Sequence, residues 1–488
     1  NKNRAENRGS RLDYFLVSGE LLSFVQSIRF HKDILASDHC PISMLFYPVK
    51  PKREIDDADM AAIWGSIDWD RLQGILLLLQ QDLAYAAYNR EWDKVDQLQR
   101  QLVGSWAARA LAVREVLNGS NSPGVDGVRW TTDAQKARAA QSLIARGYRP
   151  LYRELEEHRK VRINLIPTMR DRAMQILYSF ALDPVAESTA DKKSFFARKG
   201  RSTLDPNAHL LHDLSMENAP TWVVIADVQT FYATVAHDWL VENILMDKAV
   251  LRKFLKAGMI RNGELFPTDK GMSMASALSP KLGNMMLDGL QSYIYDRLYP
   301  SGGVDYPNGN LNRLLDDMVI TARDRTQAEL IMQIVEEFLA YRGLRLHPEK
   351  THITNVYEGF DYIGRHYQFK NGCLSVKPAE SSIIQFEAEL KNLIMNFSGT
   401  QRDLIKEVNW KLAGWGHYHR TEDAYMDFRH IDSVVEGLLV KKMCMKYPRW
   451  HQKTVLNKFW VRDGWNHVFV LPGDHSVRIN CLAHLPIR

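Results

Sequence analysis

Three carboxylates at the ends of apolar strands constrain this chain more than any other feature. Residues 221–227 (TWVVIAD) form a β-branched run that ends in Asp227. Residues 313–322 (RLLDDMVITA) read as strand, tight turn and strand, with Asp316 and Asp317 adjacent at the turn. Val and Ile without a polar break are the pattern of a strand covered on both faces, so both segments predict a sheet inside a core. Adjacent acids at a hairpin tip point into a common space in front of the sheet. A third acid on a neighbouring strand completes a cluster of hard oxygen donors. Such a cluster suits two Mg2+ ions about 4 Å apart, one activating a primer 3′-hydroxyl and the other steadying a triphosphate leaving group. A pair of Asp residues is equally what an ordinary solvated turn uses, so the surrounding segments have to decide.

With 488 residues the chain is long enough for about three domains. The net charge is only +5, so the distribution of charge matters more than its sum. Residues 441–459 contain no Asp or Glu, yet hold Lys441, Lys442, Lys446, Arg449, Lys453 and Lys458. Tyr447, Trp450, Phe459 and Trp460 lie among or beside them. Basic residues interleaved with aromatics contact phosphates and stack on bases; a solvated helix face beside a core stripe has the same composition. Cys40, Cys373, Cys444 and Cys481 are scattered with no CxxC pair, which argues against a disulfide framework or zinc ribbon and fits a reducing compartment. No apolar run approaches the roughly 18 residues of a membrane span, so no membrane partner is expected.

Apolar residues recur at three- and four-residue spacing from about Asp68 to Leu117, predicting helices that end at the breakers NGSNSPGVDG. Residues 171–188 (DRAMQILYSFALDPVAES) read as another amphipathic helix, and 377–460 as largely helical. Residues 1–49 read as short strands and loops, and 51–60 as a linker.

Read in order, these segments resemble the blocks of group II intron reverse transcriptases and maturases, over about residues 61–470. The residues from LQQDLAYAAY to SPGVDG resemble the family's N-terminal helices and first loop; RINLIPTMRDRAMQILYSFALDPVAE resembles the second block, and SFFARKGRST the "FGFRPGRS" segment. VIADVQTFYATVAHDWL, GMSMASALSPKLGNMMLD and RLLDDMVI resemble the first-acid, "PQGGxxSPxLxN" and "YADD" blocks. GLRLHPEKTHIT, GFDYIGRHY and LAGWGHYHR follow in family order.

The resemblance implies an α+β right-hand polymerase fold, with fingers and an antiparallel palm sheet followed by a helical thumb or maturase domain. The implied organisation is 1–50 an endonuclease-like fragment, 51–125 a helical extension, 126–370 fingers and palm, 371–470 thumb, and 471–488 a tail. Asp227, Asp316 and Asp317 match catalytic metal ligands for Mg2+. Lys160 and Arg162 match contacts to the incoming triphosphate, Tyr232 the side chain under the sugar, and Lys350 a lysine near the leaving pyrophosphate. Trp415, Tyr418 and Arg420 match the thumb helix, although a Trp and Tyr at spacing three are equally a core stripe. Arg198, Arg201, Arg420 and the basic residues of 441–458 are the implied RNA contacts.

Three blocks depart from the pattern, one of them the "FGFRPGRS" segment, where Phe196 replaces the first Gly. Leu314-Leu315-Asp316-Asp317 replaces Tyr-Ala-Asp-Asp, and Ser273-Met274-Ala275-Ser276 replaces Pro-Gln-Gly-Gly. Met cannot make the hydrogen bond of Gln, and added Cβ atoms obstruct close backbone approach. Two expectations stay open: an RNA-binding maturase with Mg2+-dependent, RNA-templated DNA synthesis, or a retired polymerase serving as a subunit of an organellar ribosome or splicing complex. The partners in either case are intron or other structured RNA such as ribosomal RNA, with a DNA primer and further ribonucleoprotein subunits.

Residues 11–46 (RLDYFLVSGE to SDHCPISMLF) resemble the C-terminal end of an exonuclease III-type apurinic endonuclease. Asp38 and His39 match its Asp–His pair and Asp13 an acid that positions the phosphate; the remaining members of that site are not in this sequence. This segment favours a eukaryotic setting, and hence a mitochondrion or chloroplast.

Overall fold

The computed structural model describes residues 25–30, 42–46, 56–119, 122–150, 153–158, 162–216, 218–261, 264–273, 276–302, 308–463 and 466–486. Asp13, Asp38, His39, Lys160, Met274 and Ala275 lie outside them. The chain divides into two compact units, one of 1–200, 229–290 and 338–345, the other of 201–228, 291–337 and 346–488.

The first unit is built on the helical repeat seen in the sequence. Helices Trp69–Tyr88, Trp92–Gly104 and Trp106–Gly119 replace the single helical stretch, broken where Arg90 turns left-handed and where Ser105 becomes extended. Side-chain caps start several of its helices: Asp68 accepts from Arg71 N at 3.0 Å, and Thr132 forms a capping box with Gln135. Helix Met169–Thr189 starts at Thr168, whose hydroxyl accepts from Asp171 N. A Cβ on Gly124 would lie 2.5 Å from Thr168 Cα, so only glycine lets the SPGVDG loop cross that helix start. Strands Arg162–Ile166, Arg153–His158, Met259–Arg261 and Glu264–Phe266 form a sheet in that order, with the middle pair parallel.

The second unit opens with the predicted sheet. Strands β1 (Trp222–Asp227), β2 (Leu311–Leu314), β3 (Asp317–Ala322) and β4 (His352–Asn355) lie in the order β4-β1-β3-β2, all antiparallel. Val223, Val224, Val319 and Ile320 are fully buried, as the unbroken β-branched runs require. A second sheet follows from β5 (Phe360–Tyr362), β6 (Arg365–Lys370) and β7 (Cys373–Pro378). Its two hairpins turn on Ile363-Gly364 and Asn371-Gly372, each pair with positive φ as two-residue hairpins demand.

Helices α1 (Glu380–Asn396), α2 (Gln401–His419), α3 (Tyr425–Lys446) and α4 (Gln452–Phe459) then enclose a separate core of Leu390, Val408, Phe428, Ile431 and Phe459. Residues 471–486, expected as a tail, belong to this core instead. Strands β8 (Trp460–Asp463), β9 (Asn466–Leu471) and β10 (Asp474–Arg478) form a small antiparallel sheet, and Ile479 and Leu482 are buried with the helices. Gly416 on α2 makes room for Leu482 and Leu485, whose methyls would lie 2.6 and 2.5 Å from an added Cβ. Short strands and a polar turn carry too weak a periodic signal to mark this packing. Among the described residues no helix is long and apolar enough to cross a membrane.

Candidate functional site

Strand register brings the three carboxylates together. In the antiparallel pair of β1 and β3, Asp227 lies directly opposite Asp317. Leu314 pairs with Asp317 across the next hairpin, leaving Leu315 and Asp316 at its tip. Leu315 has φ +59°, a conformation that costs a non-glycine residue roughly 1–2 kcal/mol. Burial of its side chain and a contact from below hold it there: Arg313, itself fully buried, donates from Nη1 to Leu315 O at 3.4 Å. Tyr362, buried beneath, donates to Asn312 O at 3.2 Å.

The segment after the second acid block closes the other side. His347 N donates to Asp227 O at 2.8 Å, and Asp227 N donates to Thr351 Oγ1 at 3.4 Å. Residues 347 and 351 thus clasp the backbone of Asp227, and Lys350 between them sets its Nζ 2.5 Å from Asp227 Oδ2. The Lys350 side chain is 64% exposed, so solvent reaches the pair.

Burial pushes the Asp317 carboxyl up to about 7, with the charges of Asp227 and Asp316 adding to the effect. Burial raises Asp316 as well, and the Asp227 charge adds to it, against the pull of Lys350 and Arg313. The hydrogen bond to Asp227 raises Lys350. The cluster is therefore short of positive charge, which a hard divalent cation on carboxylate oxygens would supply. Among the described residues no three His, Cys, Asp or Glu side chains are arranged as ligands of one metal ion. Carboxylate oxygens are the donors Mg2+ takes, and here one oxygen of Asp227 is held by the Lys350 ammonium.

The remaining residues singled out in the sequence fall in varied surroundings. Tyr232 belongs to the first unit, on the short helix Phe231–Thr234, where its carbonyl accepts from Met272 N at 2.7 Å. In the same unit His237 Nε2 lies 2.6 Å from Gly271 O, tying the segment that resembles the family's glycine-rich block to that turn. Arg162 opens a strand, paired with His158. Arg198 turns inward: it forks onto Glu187 at 2.6 and 2.7 Å and donates to the carbonyls of Asp191 and Ser194. Its donors are committed to holding the 191–198 loop, a correction to its expected RNA contact. Arg201 and Arg420 are half-buried.

Trp415 is partly buried and packs against the helical core, stacked on Phe386 at 4.8 Å with rings 1° apart. Tyr418 donates to Ile363 O at 2.7 Å and accepts from Asn207 Nδ2 at 3.2 Å, with the Arg365 guanidinium over its ring. The exposed aromatic of that helix is Trp410, 72% accessible. In the basic segment Lys441, Lys446, Arg449, Lys453 and Lys458 are exposed. Lys442 instead donates to Met395 O and Phe397 O at 3.4 and 2.9 Å, capping the end of α1, so it too is structural. Arg313, His347 and Thr351 were not foreseen. Arg313 carries the one available signal, a lone charge in an apolar strand; nothing local marks the others.

Three family models match in succession. Residues 64–143 match the N-terminal domain of reverse transcriptase, 155–367 the reverse transcriptase (RNA-dependent DNA polymerase), and 383–460 the group II intron, maturase-specific domain. Protein YkfC of Escherichia coli K12 is 27% identical over 68% of this chain and 97% of its own length. Maturase-like protein 1 of Euglena gracilis is 22% identical over 86% of this chain and 91% of its own. The protein of the same name from Euglena longa is 20% identical over 74% and 79%. Among solved structures, telomerase from Candida albicans with a telomeric RNA fragment overlaps 65% of this chain and 66% of its own at a TM-score of 0.35 and 11% identity, too loose a match to bear on the fold.

Proposed function

We propose, from the premise that this chain belongs to the group II intron reverse transcriptase/maturase family, that it binds structured RNA and retains a carboxylate site for RNA-templated DNA synthesis. The observation that carries this reading is the convergence of Asp227, Asp317 and Asp316 at one end of a buried antiparallel sheet. In this reading residues 126–370 serve as fingers and palm, and 371–470 as the thumb or maturase domain.

Asp227, Asp316 and Asp317 would hold Mg2+, which when bound supplies charge for the attacking hydroxyl and the leaving phosphates. Lys350 would leave Asp227 and take the departing pyrophosphate. Arg162, whose planar fork suits phosphate oxygens, and Lys160 would receive the triphosphate. Tyr232 would lie under the sugar and exclude a 2′-hydroxyl. Lys441, Lys446, Arg449, Lys453 and Lys458, with Arg201 and Arg420, would contact the RNA backbone. The endonuclease-like segment with Asp13, Asp38 and His39 adds no step, and supports only a eukaryotic, organellar setting.

Primer extension on an RNA template tests the reading. The wild-type chain with dNTPs and Mg2+ extends the primer, and an Asp316→Asn/Asp317→Asn double variant does not. Equal product from both would end the polymerase assignment.

A second reading has its own support. Lys350 already neutralises Asp227, and the glycine-rich and "YADD" blocks are altered. A retired polymerase kept as a structural subunit would bind RNA yet extend no primer. Crosslinking and sequencing of its bound RNA then separates intron from ribosomal RNA.

A further inference from the structure

We infer that Trp450 is the solvent-facing ring of an aromatic cluster on which an unpaired RNA nucleobase stacks, with Lys446, Arg449 and Lys453 taking the adjoining phosphates. The inference deepens the RNA-binding reading and rests on it. Trp450 stacks on Tyr447 at 4.5 Å with rings 19° apart. Both rings also lie against Phe459, Tyr447 at 5.5 Å and 28° and Trp450 at 6.5 Å and 23°, and Phe459 lies on Phe469 at 6.2 Å and 29°. Phe459 and Phe469 are each 2% exposed, whereas Trp450 is 39% exposed. The cluster thus reaches from the core of the helical domain to solvent at Trp450.

Its outer ring is held in place. Trp450 N donates to Tyr447 O at 3.0 Å, closing a turn that contains Pro448, whose ring fixes φ. A Trp anchored this way offers its face with little conformational entropy left to lose on binding. Lys446, Arg449 and Lys453 are exposed, and no acidic residue occurs anywhere in 441–459. Lys446 Nζ lies 5.9 Å from the Tyr447 ring centre, beside the cluster. A buried apolar stack needs no cationic fringe, and a solvated basic helix needs no exposed ring seated on two others. Together they match a polyanion carrying flat π surfaces. Bases within a duplex already stack on their neighbours, so only a loop, bulge or single strand offers a free face.

The test uses the full chain, an unstructured RNA of about 12 nucleotides, and a blunt duplex of the same sequence. Trp450→Ala should weaken binding of the single strand by roughly tenfold, the scale of one base–aromatic stack, and of the duplex by less than about twofold. Trp450→Phe, which keeps a ring, should retain most single-strand affinity; melting curves confirm that both variants fold. A triple Lys446→Ala/Arg449→Ala/Lys453→Ala variant should weaken both probes and flatten their salt dependence. Unchanged single-strand binding by Trp450→Ala, or equal loss on the two probes, overturns the platform while leaving the RNA-binding reading intact. Failure of the wild-type chain to bind either probe overturns both.

Discussion

The Lys350 ammonium rests 2.5 Å from Asp227 Oδ2, on the residue that faces Asp317 across the sheet. One carboxylate oxygen of the cluster therefore already has a counter-ion. The Lys350 ammonium would compete with a divalent cation for Asp227. Lys350→Ala should bind Mg2+ two- to fivefold more tightly, because an exposed pair of this kind is worth about 1 kcal/mol or less. Lanthanide luminescence with Mg2+ competition measures this, and the same variant should lose primer extension. Unaltered Mg2+ affinity would show that Lys350 does not compete for the site.

Asp317 titrates near 7 because it is buried beside two other acids. Its unfolded value is about 3.9, so between roughly pH 4 and 7 the folded chain holds a proton that the unfolded chain has released. Stability conferred by this group therefore falls as pH rises through that window. In Mg2+-free buffer Asp317→Asn should be more stable than wild type at pH 8, by about 1–3 kcal/mol, and the gain should vanish near pH 4. Thermal melts at the two pH values decide it: an Asn variant less stable at pH 8 contradicts the crowding of charge described here.

His419 is buried between Trp415 and Ser382 Oγ, its Nε2 3.2 Å from that hydroxyl. Burial first, and then the Arg365 charge, drive its pKa down to about 3. The unfolded chain gains a proton near 6.5 while the folded one stays neutral, so stability is lost as pH falls from about 6.5 toward 3, at up to about 1.4 kcal/mol per pH unit. His419→Gln should flatten that acid limb. A limb of the same slope in both proteins would assign the acid sensitivity to other groups.

Trp410 and Trp415 sit on one helix with opposite fates. Trp415→Ala removes a ring stacked on Phe386 and packed on Phe428, and should cost about 3 kcal/mol or more. Trp410→Ala, at a position 72% exposed, should change stability by less than about 0.5 kcal/mol. Denaturant melts of the two variants check the assignment, and comparable losses would refute it.

What was legible in the residues is what travels along the backbone: the β-branched runs before Asp227 and after Asp317, the helical spacing from about Asp68 to Leu117, and an order of blocks that resembles group II intron reverse transcriptases and maturases. These are short-range signals, because side-chain periodicity and φ preferences depend on near neighbours. Tertiary structure alone decided which side chains meet. It placed Asp227 against Asp317, folded Lys350 back onto Asp227, set Arg313 under Leu315, committed Arg198 and Lys442 to internal contacts, and packed Trp415 against Phe386 while leaving Trp410 and Trp450 in solvent. Those outcomes depend on strand register and core packing between residues far apart in the chain. A periodic pattern fixes which face of an element is apolar, but not which distant element covers it.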